Sequence, residues 1–305
     1  MIRDPIPWPN GARCAAAITF DMDADSSVHL NHPDTADTKL CATTMMRYDA
    51  DVAMPRLIEV FKRFGLRQTF FIPGWCVERY AEAVKAAVDD GHEIAHHGYL
   101  HEKPNLLSDS EELRVLRLGI EAIRNATGRR PRGYRAPSYA FSKRSLSYLV
   151  DEGFDYDSSL LGSDIPYLVA NDKGSLVEIP IDTTMDDWTQ YMCFRELGYM
   201  LPIASPARAM EVFRAEFDAA WKYGGMWMPV WHPFVSGRLA RCDAMIELIE
   251  YMLDKGGVWF ATTEEISTHA RKCIADKTWK PRTDILPLYN SPIPELRLIS
   301  DQAAE

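Results

Sequence analysis

Short apolar runs alternate with helical stretches along nearly the whole chain, and no other feature restricts the fold as much. Residues 15–20 (AAAITF) read as a buried strand. Residues 55–64 read as a helix whose apolar face carries Leu57, Ile58, Phe61 and Phe64 before Gly65 stops it. A strand over 68–72 ends at Pro73-Gly74, a helix over 77–89 closes at Gly91, and 93–95 form a short strand. Ser108 and Glu111 make a capping box that opens a helix to about Ala126, with Gly128 as its stop. Strands over 133–135, 154–157, 176–181, 226–231 and 258–261 follow, interleaved with helices over 143–152, 206–223 and 242–255. Strands that are apolar at successive positions need cover on both faces, which means a parallel sheet wrapped by helices. About seven or eight such units around one core favour a closed barrel over an open sheet. The expected fold is α/β, a distorted (β/α)7–8 barrel in a single domain.

Two stretches interrupt the alternation. Residues 24–50 form a polar insertion after the first strand, a place where barrels often carry a lid or a substrate-binding loop. Residues 276–305 form a proline-spaced tail, expected to wrap the surface or a neighbouring subunit, so the barrel is assigned to 1–275. A homo-oligomer is expected on that ground. A net charge of -10 argues against nucleic acid or an anionic membrane as partner. The first apolar run is too short for a signal segment or a span, and the six cysteines are scattered without a C-x-x-C pair. Together these point to a cytoplasmic protein with reduced thiols.

Four of the eight histidines lie between 92 and 101, in GHEIAHHGYLH. His97 and His101, four apart, would stand one above the other on a helical turn and could reach one metal ion. A lone pair at that spacing is more often structural, and His92 and His96 are read that way. A carboxylate from FDMDAD would complete the site, because Asp21, Asp23 and Asp25 follow a buried strand and alternate toward the same side. Acids crowded there repel one another, and a cation removes that cost. Arg135, Asp157 and His232 each end another strand. Taken singly, each is most simply a satisfied polar residue. Together with Asp21, Asp23, His97 and His101 they come from five strand–loop junctions on the same end of the elements, where chance would place about half. In a barrel those ends converge on the catalytic face.

The motifs Thr19–Asp21 with Met22-Asp23 (TFDMD), HGYLH at 97–101, RAPSY at 135–139, Asp157-Ser158-Ser159 and Trp231-His232-Pro233 resemble, in order, those of the polysaccharide deacetylase (NodB-homology) family, carbohydrate esterase family 4. The resemblance spans roughly 15–266 and implies a distorted (β/α) barrel. It also implies a metal held by Asp23, His97 and His101, a catalytic base at Asp21 and a catalytic His232. Met22 separates aspartates that are usually adjacent, which leaves the division of base and ligand between Asp21 and Asp23 open. Gly98 stands where Ser or Thr is usual. The insertion, the phrase HGYLHEKP and WHPFVSGR are more like a branch of allantoinase-like proteins, cyclic imide hydrolases and atypical peptidoglycan deacetylases.

The expected activity is metal-dependent hydrolysis of a non-peptide C–N bond, with Zn²⁺ as the divalent ion. Asp21 takes a proton from water, His232 protonates the departing nitrogen, and Arg135 orients Asp21. Asp157 is expected to hold His232 or Arg135. Trp75, Tyr139 and Trp188 are expected to contact substrate, although core packing is the default for most tryptophans. A small cyclic amide, imide or ureide is the expected substrate, with an N-acetylated sugar or peptidoglycan as the alternative. A non-catalytic binding protein on the same barrel is the reading from another class, and retention of candidates for both base and acid weighs against it.

Overall fold

The structure, a computed structural model, describes residues 1–289. Parallel strands follow one another in the order Val230–Trp231, Thr19–Asp21, Thr69–Ile72, Glu93–His96, Gly133–Tyr134, Tyr156–Asp157 and Gly174–Glu178. An isolated parallel bridge between Asp186 and Val230 joins the segment leaving the last of these strands to the first. That bridge closes the sheet into the distorted barrel the alternation predicts. Tyr167–Asn171 then adds antiparallel at the edge, and Thr283–Ile285 pairs with it.

Nearly every strand residue of the barrel is buried, including Phe70, Phe71 and Ile72, because helices cover the outside. The helix Met54–Phe64 buries Leu57 and Phe61 and stops at Gly65, which takes the left-handed φ of +66° that a side chain would resist. Ser108 and Glu111 form the expected capping box on Asp109–Thr127, and Thr262 and Glu265 form a second on Thr263–Ala275. No helix among the described residues is long and apolar enough to cross a membrane.

Several expectations shift. The strand expected over 226–231 divides into Met226–Trp227 and Val230–Trp231, because Pro229 has no N–H to give the ladder. Its first half pairs with Cys14–Ala16 in a separate three-stranded sheet. The helix expected over 77–89 divides into Gly74–Arg79 and Ala81–Asp89 at Tyr80, whose hydroxyl is drawn inward to Asp25.

The insertion is not a loose lid. It folds into the helices Ser26–Asn31 and Leu40–Tyr48 and a π-helical turn, Asp49–Ala53, that runs straight into Met54–Phe64. Val28, Ala42 and Met46 are buried in the main core. The described part of the tail lies against the same chain: Trp279 is buried and donates to the Asp4 carbonyl, and Thr283–Ile285 extends the sheet. Residues 290–305, the rest of the expected tail, lie outside the described residues.

Candidate metal centre and active site

Thr19–Asp21 and the two residues after it keep the period of two that aims alternate side chains one way. Met22 turns into the core, while Asp21 and Asp23 face the barrel mouth. Asp23 meets both imidazoles: its Oδ1 lies 3.5 Å from His97 Nε2, and its Oδ2 lies 3.4 Å from His101 Nε2. These three residues each offer a ligand atom within 4.8 Å of the others.

His97 Nδ1 donates to the Arg135 carbonyl at 2.8 Å, so the Nε2 lone pair faces Asp23. Burial pushes the His97 pKa down to about 3, against the opposing pull of Asp23, and keeps the ring neutral. Asp23 Oδ1 is itself buried without a hydrogen-bond partner. A buried carboxylate oxygen that faces the lone pair of a neutral imidazole is repelled by it, and a cation between the two removes that cost. The donor set of two nitrogens and a carboxylate fits a divalent metal.

The spacing of His97 and His101 does not come from a helix, contrary to the expectation from the sequence. Residues 97–101 form a loop in which Gly98 and His101 take φ of +75° and +67°. Glu102 braces it by accepting the N–H groups of Tyr99 and Leu100. A Cβ at position 98 would lie 3.0 Å from Pro137, which together with the positive φ accounts for glycine there.

Asp21 stands apart from the trio by its partner. Arg135 Nη1 donates to Asp21 Oδ1 at 2.6 Å and to Thr19 Oγ1 at 3.1 Å. The fully buried guanidinium also donates to the Ser158 carbonyl and hydroxyl and lies 3.9 Å over the Phe71 ring. With the fifth N–H facing the Met228 sulfur at 3.9 Å, all its directions are used, and the remaining oxygen, Asp21 Oδ2, lies 3.7 Å from His97 Nε2.

His232 follows Val230–Trp231 and enters from the opposite side, its Nε2 3.8 Å from Asp23 Oδ2. Its Nδ1 donates to Asp187 Oδ1 at 2.7 Å, and Asp187 Oδ2 accepts both the His232 N–H and the Ser236 hydroxyl. Burial works against the imidazolium, but the carboxylates of Asp187, Asp186 and Asp23 outweigh it and hold the pKa well above the ordinary histidine value. A raised pKa widens the range over which the ring keeps its proton, which is lost as pH rises through it. Asp187→Asn should move the alkaline limb of the pH–kcat profile to lower pH and reduce kcat by about 10²-fold, as loss of an oriented acid would. A profile unchanged in its alkaline limb would contradict the assignment.

Asp157 departs from the expectation. It reaches neither His232 nor the Arg135 side chain; its oxygens accept the Ser159 hydroxyl and N–H, beside Glu178 on the neighbouring strand. It shapes the turn that presents Ser158 to Arg135. The acids missed by sequence reasoning are Asp186 and Asp187. They lie beyond the strand expected over 176–181, past Asp182, so the rule that singled out Arg135 and His232 at strand ends does not reach them. Tyr139, in a left-handed turn with Ser138, donates to Asp186 at 2.6 Å, and Trp188 lies edge-on to His232 at 5.0 Å. Both border the site. Trp75 packs instead on His29 and Tyr80, beside Asp25. His92 and His96 are structural as expected, accepting the N–H groups of Gln68 and Gly98.

The Polysaccharide deacetylase family model matches residues 36–156. A peptidoglycan deacetylase of Helicobacter pylori is 32% identical over 248 residues, which cover 72% of this chain and 84% of that protein. The chain belongs to the polysaccharide deacetylase family. A Mycobacterium smegmatis crystal structure classed with the polysaccharide deacetylases is 37% identical, covers 97% of this chain and 99% of its own, and superposes with a TM-score of 0.87. An allantoinase structure, 23% identical with a TM-score of 0.77 over 88% of this chain and 94% of its own, shares the fold. This polysaccharide deacetylase family member is a hydrolase of carbon–nitrogen bonds other than peptide bonds, in a family whose deacetylases depend on a metal.

Proposed function

We propose that the chain hydrolyses the C–N bond of a small cyclic amide, imide or ureide, using a divalent ion, Zn²⁺, held by Asp23, His97 and His101. Enclosure of the site carries this reading. The side chains of Asp21, Asp23, His97 and His232 are at most 8% exposed and that of His101 is 14% exposed, with Trp188 and Tyr199 stacked edge-to-face beside His232. Reacting groups set this far below the surface suit a compact planar ring more than a glycan strand, which needs an open groove.

When held by those three ligands, the cation supplies a Lewis acid for the substrate carbonyl. Asp21, ion-paired to Arg135, accepts the proton of the attacking water. His232 delivers its Nε2 proton to the departing nitrogen while Asp187 holds Nδ1 in place. Base and acid each contribute about 10²–10⁴-fold.

N-deacetylation of a sugar or peptidoglycan is a second reading, favoured by similarity to the peptidoglycan deacetylase of Helicobacter pylori. Both use the same residues, so substrate decides. The purified protein with added Zn²⁺ should open succinimide, hydantoin or allantoin rings. Acetate release from N-acetylglucosamine oligomers without any ring opening would establish the second reading instead.

A further inference from the structure

Asp49 belongs to the insertion, well separated in sequence from the residues of the site, and is completely buried. Its Oδ2 accepts the Ala24 N–H at 2.7 Å, and its Oδ1 accepts the Phe234 N–H. Ala24 directly follows Asp23. Phe234 lies two residues beyond His232. One carboxylate therefore grips the backbone behind the proposed metal ligand and the backbone behind the proposed proton donor.

The grip is placed where the chain needs it. Ala24 has a φ of +42°, a conformation that disfavours any residue with a Cβ, so the turn presenting Asp23 persists only if something holds it. Asp49 begins a π-helical turn, Asp49–Ala53, between two α-helices. Such turns interrupt an α-helix without ending it and are frequent at functional sites. The insertion thus delivers a rigid, doubly bonded carboxylate under the site.

We propose that Asp49 is a positioning residue that sets the distance between the metal ligand Asp23 and the proton donor His232, whose facing atoms Oδ2 and Nε2 stand 3.8 Å apart. The inference rests on the roles proposed above for those two residues. It gives the insertion a function: a brace that aligns two halves of the site contributed from opposite ends of the chain.

Asp49→Asn tests it, because the amide keeps the shape but offers only one oxygen for two N–H groups. Zinc affinity, measured by competition with a chromophoric chelator, should fall about 10–100-fold, the usual effect of losing a residue that orients a ligand. At saturating zinc, kcat on the substrate the wild type turns over best should fall by about the same factor, with KM changed less than about threefold. Adding Ala24→Gly should recover zinc affinity at least about threefold, since glycine accepts the positive φ unaided, while kcat stays low because Phe234 remains unheld. Asp49→Ser gives the same comparison if the Asn chain does not fold. A variant that unfolds at lower temperature but keeps wild-type zinc affinity and kcat would overturn the proposal, reducing Asp49 to core support. Wild-type protein that takes up no zinc would instead sink the metal reading itself, and this inference with it.

Discussion

His101→Ala is expected to remove zinc binding and turnover together. The ring is the most exposed of the three proposed ligands and ends a loop braced by Glu102, so its loss leaves the barrel core intact. What disappears is one of only two nitrogen donors. A site reduced to His97 and Asp23 has too few ligands for a structural hold on Zn²⁺. Without the ion the carbonyl loses polarisation worth several kcal/mol, so kcat/KM should drop by about 10³-fold or more. Metal content by elemental analysis and activity should fall in parallel, while the folded spectrum and the unfolding transition of the metal-free protein remain. Loss of activity with full zinc content would assign His101 another role.

Arg135→Met is expected to have the largest effect on stability. The guanidinium is wholly buried, and removing it leaves Asp21 as an uncompensated charge and the Ser158 carbonyl and hydroxyl without their donor. Breaking a buried pair from one side typically costs about 3–5 kcal/mol. The double variant Asp21→Asn, Arg135→Met removes both charges and should recover most of that loss in urea unfolding. Turnover should not recover, because the base is gone. Additive destabilisation by the two substitutions would show that the pair is not energetically coupled.

The barrel was legible because its signal is repeated: short runs rich in apolar residues recur, and each following helix is punctuated by a cap or a glycine. The breaks at Tyr80 and Pro229 were less visible, since periodicity does not report that Tyr80 turns inward to Asp25 or that one ribbon serves two sheets. The trio Asp23, His97 and His101 came from residue type and position at strand ends. The helical picture of the histidine pair failed because a four-residue spacing is also met by a loop with two left-handed residues. Asp157 was misplaced for a related reason. It ends its strand as expected, but at that point the chain turns its side chain back onto Ser159, and the contact to Arg135 passes to Ser158. The insertion was hardest to read. Its helices are short and their buried positions few, so the polar composition of 24–50 suggested a loop, whereas Asp49 and Met46 anchor it into the core.

Diffraction from zinc-loaded crystals, with anomalous differences collected at the zinc edge, tests the central claim most directly. The account predicts one strong peak bounded by Asp23, His97 Nε2 and His101 Nε2, at about 2.0–2.2 Å from each. The structure also brings Asp186, Asp187 and His232 close enough to hold an ion. A peak there, with the Asp23 trio left bare, would contradict both the metal centre and the role of His232 as proton donor.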